Sequence, residues 1–156
     1  VETAKNTNVN AFLIDDLKMP YGKGKGEKVV IPEEILKDWN LTKRTIRGIM
    51  DTDGTVFISK KPRIDKYPSI ELTTTSINLA NQLRDILINR GFRVANIRKT
   101  TYKDNRLTVY RVGLYGKENL RRWIEEIGFS NQYKLQRALS YLENKMGALG
   151  VEPRTP

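Results

Sequence analysis

The sequence contains no cysteine and no histidine among its 156 residues. Without cysteine the chain can form neither a disulfide framework nor a thiolate nucleophile. Without histidine it lacks the most frequent general base and the most frequent zinc ligand. Any catalysis must therefore use carboxylates, lysine, arginine, tyrosine or hydroxyl groups, or a hard metal ion that is bound through oxygen.

Long apolar runs are also missing from the chain. No stretch approaches the roughly 20 apolar residues that a membrane-spanning helix needs. The opening segment VETAKNTNVN lacks the charged and then apolar pattern of a signal peptide. We therefore expect a soluble, cytoplasmic protein that does not bind to membranes.

Positive charge is what the sequence has in excess. Lys and Arg number 28 against 18 Asp and Glu, which gives a formal net charge of +10. This balance is typical of proteins whose partner is a polyanion. Charge alone ranks nucleic acid first among the candidate partners and an anionic membrane surface second, and of the two we expect only nucleic acid.

From Thr42 onward, the spacing of apolar residues predicts an α+β fold with the element order α-β-β-α-β-β-α-α. At this length we expect one folded domain over residues 42–146, preceded by an N-terminal extension over 1–41 and followed by a tail over 147–156. The predicted strands are GTVFISKK, SIELTTT, RVANIRKTTY and LTVYRVGLYG. The predicted helices cover about 32–40, 42–50, 77–90, 117–127 and 131–145.

The predicted strands alternate between apolar and polar side chains, so one face of the sheet packs helices and the other is polar and basic. An ordinary solvated face is one interpretation of this pattern. A surface that reads the DNA major groove is the other, because these side-chain types can bond to base edges. The candidate contact residues are Phe57, Ser59, Lys61, Arg63, Ser69, Glu71, Thr73, Asn96, Arg98 and Arg111.

The segment GKGKGEK over residues 22–28 is rich in glycine and lysine. It lacks the spacing and the terminal Lys-Ser/Thr of a nucleotide-binding P-loop, so we interpret it as a flexible basic loop. Lys23 and Lys25, together with Lys28, are candidates for contacts to DNA phosphates. Alternatively, this part of the extension only closes the helical side of the fold.

Residues 46–54 read Ile-Arg-Gly-Ile-Met-Asp-Thr-Asp-Gly and stand where a predicted helix runs directly into a strand. This segment resembles the LAGLIDADG motif of homing endonucleases, and the β-β-α-β-β-α order around it strengthens the resemblance. A calcium-binding EF-hand loop is the competing interpretation. It would need further oxygen ligands and a late Glu, where DTDGTVFISKKP has apolar or basic residues.

The resemblance implies an αββαββα fold with a four-stranded antiparallel DNA-binding sheet and helices on the opposite face. It also implies that Asp53 and the backbone carbonyl of Thr52 bind Mg²⁺, for which Mn²⁺ would substitute. Lys134, near the start of the last helix, corresponds to a lysine that approaches the scissile phosphate. Thr74 occupies a third catalytic position at the end of the second strand, where relatives often have Gln. Asp51 would be a structural hydrogen-bonding group at the helix junction.

The chain carries a single copy of the motif, and cutting both strands of a duplex requires two active sites. By the resemblance, two copies of the chain would pair their motif helices through Ile46, Gly48 and Ile49 as a two-fold symmetric homodimer. The implied function is a site-specific double-stranded DNA homing endonuclease. It would cut a long pseudo-palindromic target, leave short 3′ overhangs and promote the mobility of its host intron. The alternatives are an RNA-splicing maturase, a nuclease-inactive DNA-binding regulator of the same fold, and a basic ribosome-associated domain.

Overall fold

The computed structural model describes residues 12–16, 18–20, 22–104 and 107–147. After a π-helical turn at Phe12–Asp16, these described residues form six helices and four strands. The helices are α1 (Lys25–Lys28), α2 (Glu33–Leu36), α3 (Trp39–Asp53), α4 (Ile77–Asn89), α5 (Lys117–Glu126) and α6 (Gln132–Gly147). The strands are β1 (Gly54–Lys61), β2 (Ile64–Thr74), β3 (Arg98–Thr101) and β4 (Thr108–Tyr115).

The four strands form one antiparallel sheet in the order β1-β2-β4-β3. From α3 onward the element order is αββαββα, followed by α6. The structure therefore confirms the predicted α+β class and the four-stranded antiparallel sheet. The predicted tail, 147–156, lies outside the described residues except for its first residue.

The hydrophobic core lies between one face of the sheet and the helices. Trp123 of α5 is fully buried, and its ring meets the ring of Phe92 edge-on with centroids 6.1 Å apart. Leu83 of α4 and Leu72 of β2 are also fully buried. Burial of each large apolar side chain stabilises the fold by about 1.5–3 kcal/mol. Among the described residues no helix covers the opposite face of the sheet, as the alternation in the strands predicts.

Strand β2 begins earlier than the predicted strand SIELTTT and contains Pro68, which lies outside that prediction. Proline cannot donate a backbone hydrogen bond, so it is tolerated in a strand where no partner needs its N–H. Pairing of β2 with β4 begins only at Ser69, opposite Tyr115, so Pro68 pairs with β1 alone. Its carbonyl accepts a hydrogen bond from Gly116 N.

Strand β3 is shorter than predicted because its pairing with β4 is interrupted. Arg98 pairs with Arg111, whereas Val94 bridges to Leu114, which is a shift of one residue in register. Asn96 falls within this irregular stretch and is exposed. Its predicted place on a regular strand of the polar face is therefore wrong.

The segment that precedes α3 is joined to the domain. Ile31 is buried in the core, and the side-chain amide of Gln82 in α4 bonds both its backbone N–H, at 2.8 Å, and its carbonyl, at 3.2 Å. The helix predicted from Pro32 to Asn40 is only the single turn α2. Helix α3 begins at Trp39 instead of Thr42, because the Asp38 side chain caps it by accepting a hydrogen bond from Leu41 N.

No helix within the described ranges is long and apolar enough to cross a membrane.

Candidate nuclease site

The acidic segment Asp51–Asp53 forms the last turn of α3, and β1 follows it without a loop. Gly54 makes this direct junction, since its N–H donates to the carbonyl of Met50 and closes the helix. A Cβ atom at position 54 would lie 2.6 Å from that carbonyl oxygen and 2.9 Å from the Cα of Met50. Only glycine fits this position without a backbone shift, so the junction depends on it.

Asp51 connects the end of α3 to the start of α6. Its carboxylate accepts hydrogen bonds from the backbone N–H groups of Ser130, at 3.0 Å, and Asn131, at 3.2 Å. The Asn131 side chain in turn accepts a hydrogen bond from Lys134 N. Asp51 therefore makes the structural contacts that the sequence analysis assigned to it.

Lys134 lies beside the same junction. Its ammonium group donates to the carbonyl of Met50 at 2.6 Å and to the carbonyl of Asp51 at 2.8 Å. Carbonyls in the last turn of a helix lack intrahelical partners, and the negative end of the helix dipole attracts a cation there. Two of the three ammonium donors are thus used in holding α6 against the end of α3, and one remains.

Asp53 projects into solvent at the same helix end. Its carboxylate accepts a long hydrogen bond, 3.3 Å, from the Thr52 hydroxyl. Both residues are exposed. Asp53 lies at the edge of an apolar groove of about 550 Å³, which it shares with Thr74 at the end of β2. The Thr74 hydroxyl accepts a hydrogen bond from Ser76 N at the turn into α4. The structure thus brings Asp53 and Thr74 to one groove, with Lys134 bonded to the backbone of the same helix end.

The oxygen atoms at this helix end are of the type that binds a hard cation, but they are too few to complete its coordination. A carboxylate and a last-turn carbonyl, from Asp53 and Thr52, are the oxygen ligands that Mg²⁺ prefers. In the part of the chain that the structure describes, no group of three or more Asp, Glu, His or Cys side chains is arranged to hold a metal ion. A full set of ligands would therefore need oxygen atoms besides those of acidic side chains, such as water or phosphate oxygens.

The two acids of the motif should affect stability differently. Asp51→Ala leaves two backbone N–H groups without their carboxylate partner, so we expect the free energy of unfolding to fall by about 1–3 kcal/mol. The matched control is Asp53→Ala, which should change it by less than about 0.5 kcal/mol because the carboxylate is exposed. Urea unfolding of the two variants measures both values, and equal losses would contradict these roles.

One side of α3 is exposed along its length. Leu41, Thr45, Gly48 and Thr52 recur at helical spacing on this side, and Leu41 is 48% exposed. We call these four residues the α3 stripe. A Cβ atom at Gly48 would meet nothing within 4 Å, so no packing within the protomer requires glycine there.

Two of the three residues predicted for the dimer interface have different surroundings from Gly48. Ile49 is half-buried beside the α3 stripe and lines the groove that Asp53 borders. Ile46 is fully buried in the core of the protomer, so its predicted place in an interface is wrong. The helix turns Ile46 toward the sheet, about 160° away from Gly48, because consecutive residues are about 100° apart.

On the open face of the sheet, polar and aromatic side chains line a basin of about 530 Å³. Seven of its eight lining residues were predicted from strand alternation, and one of the seven, Ser69, is only 2% exposed. The cross-strand neighbours of Ser69 are Phe57 and Tyr115, which flank it on both sides. The prediction that Ser69 contacts DNA is therefore wrong for this conformation. The basin is lined by Phe57, Ser59, Lys61, Ser69, Glu71, Arg98, Arg111 and Tyr115.

The charged side chains of the basin are held by partners. Glu71 accepts hydrogen bonds from the Arg98 guanidinium and, at 2.8 Å, from the Tyr115 hydroxyl. Arg111 donates to Thr100 at 2.9 Å and to the hydroxyl of Tyr102 at 2.8 Å. Contacts within the protomer therefore hold Glu71, Arg98 and Arg111 in place.

The sequence analysis missed two tyrosines that contact Lys61, of which Tyr115 lines the basin. The ammonium group of Lys61 lies 4.2 Å from the ring centroid of Tyr67 and 5.5 Å from that of Tyr115. Tyr115 has the same strand parity as Arg111, so alternation in β4 could have identified it. Burial raises the pKa of Tyr115 above its usual value, and its hydrogen bond to Glu71 raises that pKa further. The phenol therefore remains a neutral donor up to about pH 10, and its contribution to stability is lost as pH rises through the raised pKa.

The remaining predicted contact residues lie at the margins of the face. Arg63 forms the β1–β2 turn with Pro62 and has a left-handed backbone, with φ of 67°. Thr73 pairs with Arg111 and also lines the groove beside Asp53. Lys23 and Lys25 are exposed in and before α1, which forms a helical turn within the segment predicted to be a flexible loop. A Cβ atom at neighbouring Gly26 would lie 3.0 Å from the Thr75 hydroxyl, so this basic turn adjoins the end of β2.

The protein is therefore an α+β domain in which helices back a four-stranded antiparallel sheet and an acidic turn ends the helix before the first strand. The chain belongs to the LAGLIDADG family, since the family model for a LAGLIDADG-like domain matches residues 41–128. The match covers nearly all of α3, the four strands, α4 and α5. It ends before α6, which carries Lys134.

Three curated proteins match most of this chain. The replication factor C small subunit of Methanocaldococcus jannaschii is 31% identical over 127 residues, which are 81% of this chain and 6% of that protein. The replication factor C small subunit of Thermococcus kodakarensis is 34% identical over 119 residues, 76% of this chain and 12% of that protein. The replicative DNA helicase DnaB of Nostoc sp. is 29% identical over 129 residues, 80% of this chain and 14% of that protein. The chain thus spans only a small part of each relative.

Proposed function

We propose that this chain is a site-specific DNA endonuclease that works as a homodimer and requires Mg²⁺. The exposed carboxylate of Asp53 supports this most directly, because it stands at the end of α3 beside the apolar groove in a chain of the LAGLIDADG family. An acid on the surface of a chain with net charge +10 repels a DNA phosphate unless a cation lies between them. Its position therefore supports a metal-dependent nuclease.

Double-stranded DNA is the substrate that the open face fits. The basin presents Lys61, Arg98 and Arg111 together with hydroxyl groups, which suits both phosphate attraction and bonds to base edges. A two-stranded or larger β-surface can enter the major groove. Arg63 at the β1–β2 turn and the lysines near α1 lie at the margins of this face, where phosphate contacts would add affinity without sequence specificity.

Asp53 and the carbonyl of Thr52 would hold the Mg²⁺ ion, with Asp53 of a second protomer and scissile phosphate oxygens completing its ligands. When bound, the ion supplies charge neutralisation and a more acidic water for phosphodiester hydrolysis. Mn²⁺ should replace it, since both ions accept oxygen ligands. Lys134 keeps one free ammonium donor for the phosphate or its hydrating water. The hydroxyl of Thr74 borders the same groove and would orient a water molecule.

The curated relatives support a mobile origin for this domain. Matching segments occupy 6–14% of two replication factor C subunits and one DnaB helicase, proteins whose names give them different roles. A segment shared by small parts of otherwise different proteins is consistent with an inserted module that has an activity of its own. We propose that cleavage promotes the mobility of the element that encodes the chain, such as an intron.

The test is selection and cleavage of duplex DNA. Binding to a randomised duplex library should enrich a long, roughly palindromic site. Adding Mg²⁺ or Mn²⁺ to the selected duplex should cut both strands and leave short 3′ overhangs, whereas EDTA should stop cleavage and leave binding. An intact duplex under all metal conditions would show a nuclease-inactive DNA-binding protein. Selective binding of structured RNA in place of duplex DNA would favour a maturase.

A further inference from the structure

One acid stands among the cations of the basin. Glu71 lies on β2 directly opposite Gly113 of β4. An added Cβ at position 113 would lie 2.3 Å from the hydroxyl oxygen of Tyr115 and 2.5 Å from its Cζ. The Tyr115 ring therefore folds across the space that glycine leaves and reaches Glu71. The local sequence Gly-Leu-Tyr builds a specific lock on this carboxylate.

The Glu71 side chain is largely covered within the basin, whereas its arginine partner is accessible. Its side chain is 14% exposed, and the single oxygen Oε1 accepts from both Tyr115 and Arg98. The Arg98 side chain is 58% exposed. Arginine has five N–H donors, so the bond from Nη2 to Glu71 leaves others of the same planar group directed elsewhere.

The charges around Arg98 would displace it without Glu71. Arg98 and Arg111 face each other across the β3–β4 pair, and Lys61 lines the same basin. Like charges opposite each other on a sheet repel. Glu71 is the one acid among the eight residues that line the basin, and it draws the Arg98 side chain from edge strand β3, across β4, to β2.

We propose that Glu71 is a positioning residue that orients Arg98 to read a guanine in the major groove, and that Tyr115 locks Glu71 in place. Arginine reads guanine by two parallel hydrogen bonds to O6 and N7, which requires a fixed guanidinium plane. Glu71 itself, turned inward, contacts no base. This inference depends on the proposed DNA-binding function and adds to it one specificity-determining unit in each half-site.

The test compares the base preferences that variants select from a randomised duplex library. Arg98→Ala should lose the preference for guanine at one position of each half-site. Glu71→Gln should weaken the preference at that same position by roughly tenfold, because the guanidinium loses its charged partner. Tyr115→Phe removes only the phenolic donor and should give a smaller loss there. The double variant Glu71→Gln with Arg98→Ala should select the same sites as Arg98→Ala alone.

The matched control is Glu126→Gln, which removes the acid of the Arg122–Glu126 pair on α5, away from the open face. Its selected sites should equal those of the unchanged protein. Loss of preference at a second position in the double variant would show that Glu71 reads a base itself and would overturn the inference. So would an Arg98→Ala variant that binds all duplexes uniformly more weakly. If the unchanged protein enriches no duplex, the proposed function fails, and the inference fails with it.

Discussion

Replacing Asp53 with Asn is expected to slow DNA cleavage by at least about a thousandfold while the protein still binds its target. The amide is nearly isosteric with the carboxylate but brings no negative charge to the cation, and stabilisation worth several kcal/mol corresponds to this factor in rate. Binding should persist or tighten, since one negative charge is removed from a surface that faces phosphates. Single-turnover cleavage and gel-shift titration of the selected duplex measure the two effects separately.

The exposed position of Asp53 makes this variant easy to interpret. Its carboxylate has no structural contact comparable to those of Asp51, so folding should be unchanged. Asp65→Asn is the control, because Asp65 is also an exposed acid, paired with Lys60 at the far end of the β1–β2 hairpin. It should cut DNA at the normal rate. Cleavage by Asp53→Asn at an undiminished rate would refute the assignment of the metal ligand.

Lys134 shows how far a motif can be followed from the sequence. The resemblance placed this lysine near the phosphate, and the structure places it at the end of α3, bonded to the carbonyls of Met50 and Asp51. These partners lie more than 80 residues away along the chain. No local pattern predicts such a contact, so the structural role of Lys134 could be identified only from the folded structure. The catalytic role proposed for Lys134 stays a prediction.

The helices and strands were predicted well where the periodicity of apolar residues along the sequence is clear. The helix predicted over about 77–90 forms as α4; the Ser76 side chain caps it by accepting a hydrogen bond from Leu79 N, and its apolar positions pack into the core. Strand alternation likewise identified most of the basin, because side chains on one strand have only two faces to choose from. Fold class and the location of the acidic turn followed from these patterns.

The predictions failed for residues whose position on a helix or strand does not reveal which other residues pack against them. Ile46 belongs to the motif, yet its direction on α3 makes it part of the protomer core. Ser69 has the correct strand parity, yet its two cross-strand neighbours are large aromatic residues beside a small hydroxyl. Asn96 lies where the register between β3 and β4 shifts by one residue, and strand alternation cannot reveal such a shift. Each depends on a partner element whose placement is not encoded locally.

Gly48 raises a different question, because its surroundings in the protomer do not explain it. Glycine in the interior of a helix costs about 1 kcal/mol relative to alanine. A side chain there would meet open space, so the protomer gains nothing from its absence. The α3 stripe around Gly48 is exposed and includes Leu41. Close approach of a second helix is the arrangement that would benefit, since small residues at the crossing bring helix axes to the shorter end of the usual 8–10 Å.

Replacing Gly48 with Leu is therefore expected to weaken the proposed dimer by roughly a hundredfold or more while stabilising the protomer. In a two-fold interface each substituted residue meets the partner's copy of the same surface, so the overpacking cost of about 1–3 kcal/mol per site is incurred twice. Within each protomer, leucine is a better helix former than glycine by up to about 1 kcal/mol. Sedimentation velocity over a concentration series measures dissociation, and thermal unfolding at low protein concentration measures the protomer.

The test separates misfolding from a disrupted interface, because we expect association to weaken while the stability of the protomer rises. Misfolding would lower both association and thermal stability, whereas a disrupted interface lowers only association. Asn81→Leu adds the same side chain at an exposed position of α4, outside the α3 stripe, and should leave the dimer intact. Because one protomer carries a single Asp53, Gly48→Leu should also lose double-strand cleavage in step with dimerisation. A Gly48→Leu variant that sediments as a dimer and cuts both strands would show that α3 does not form the interface.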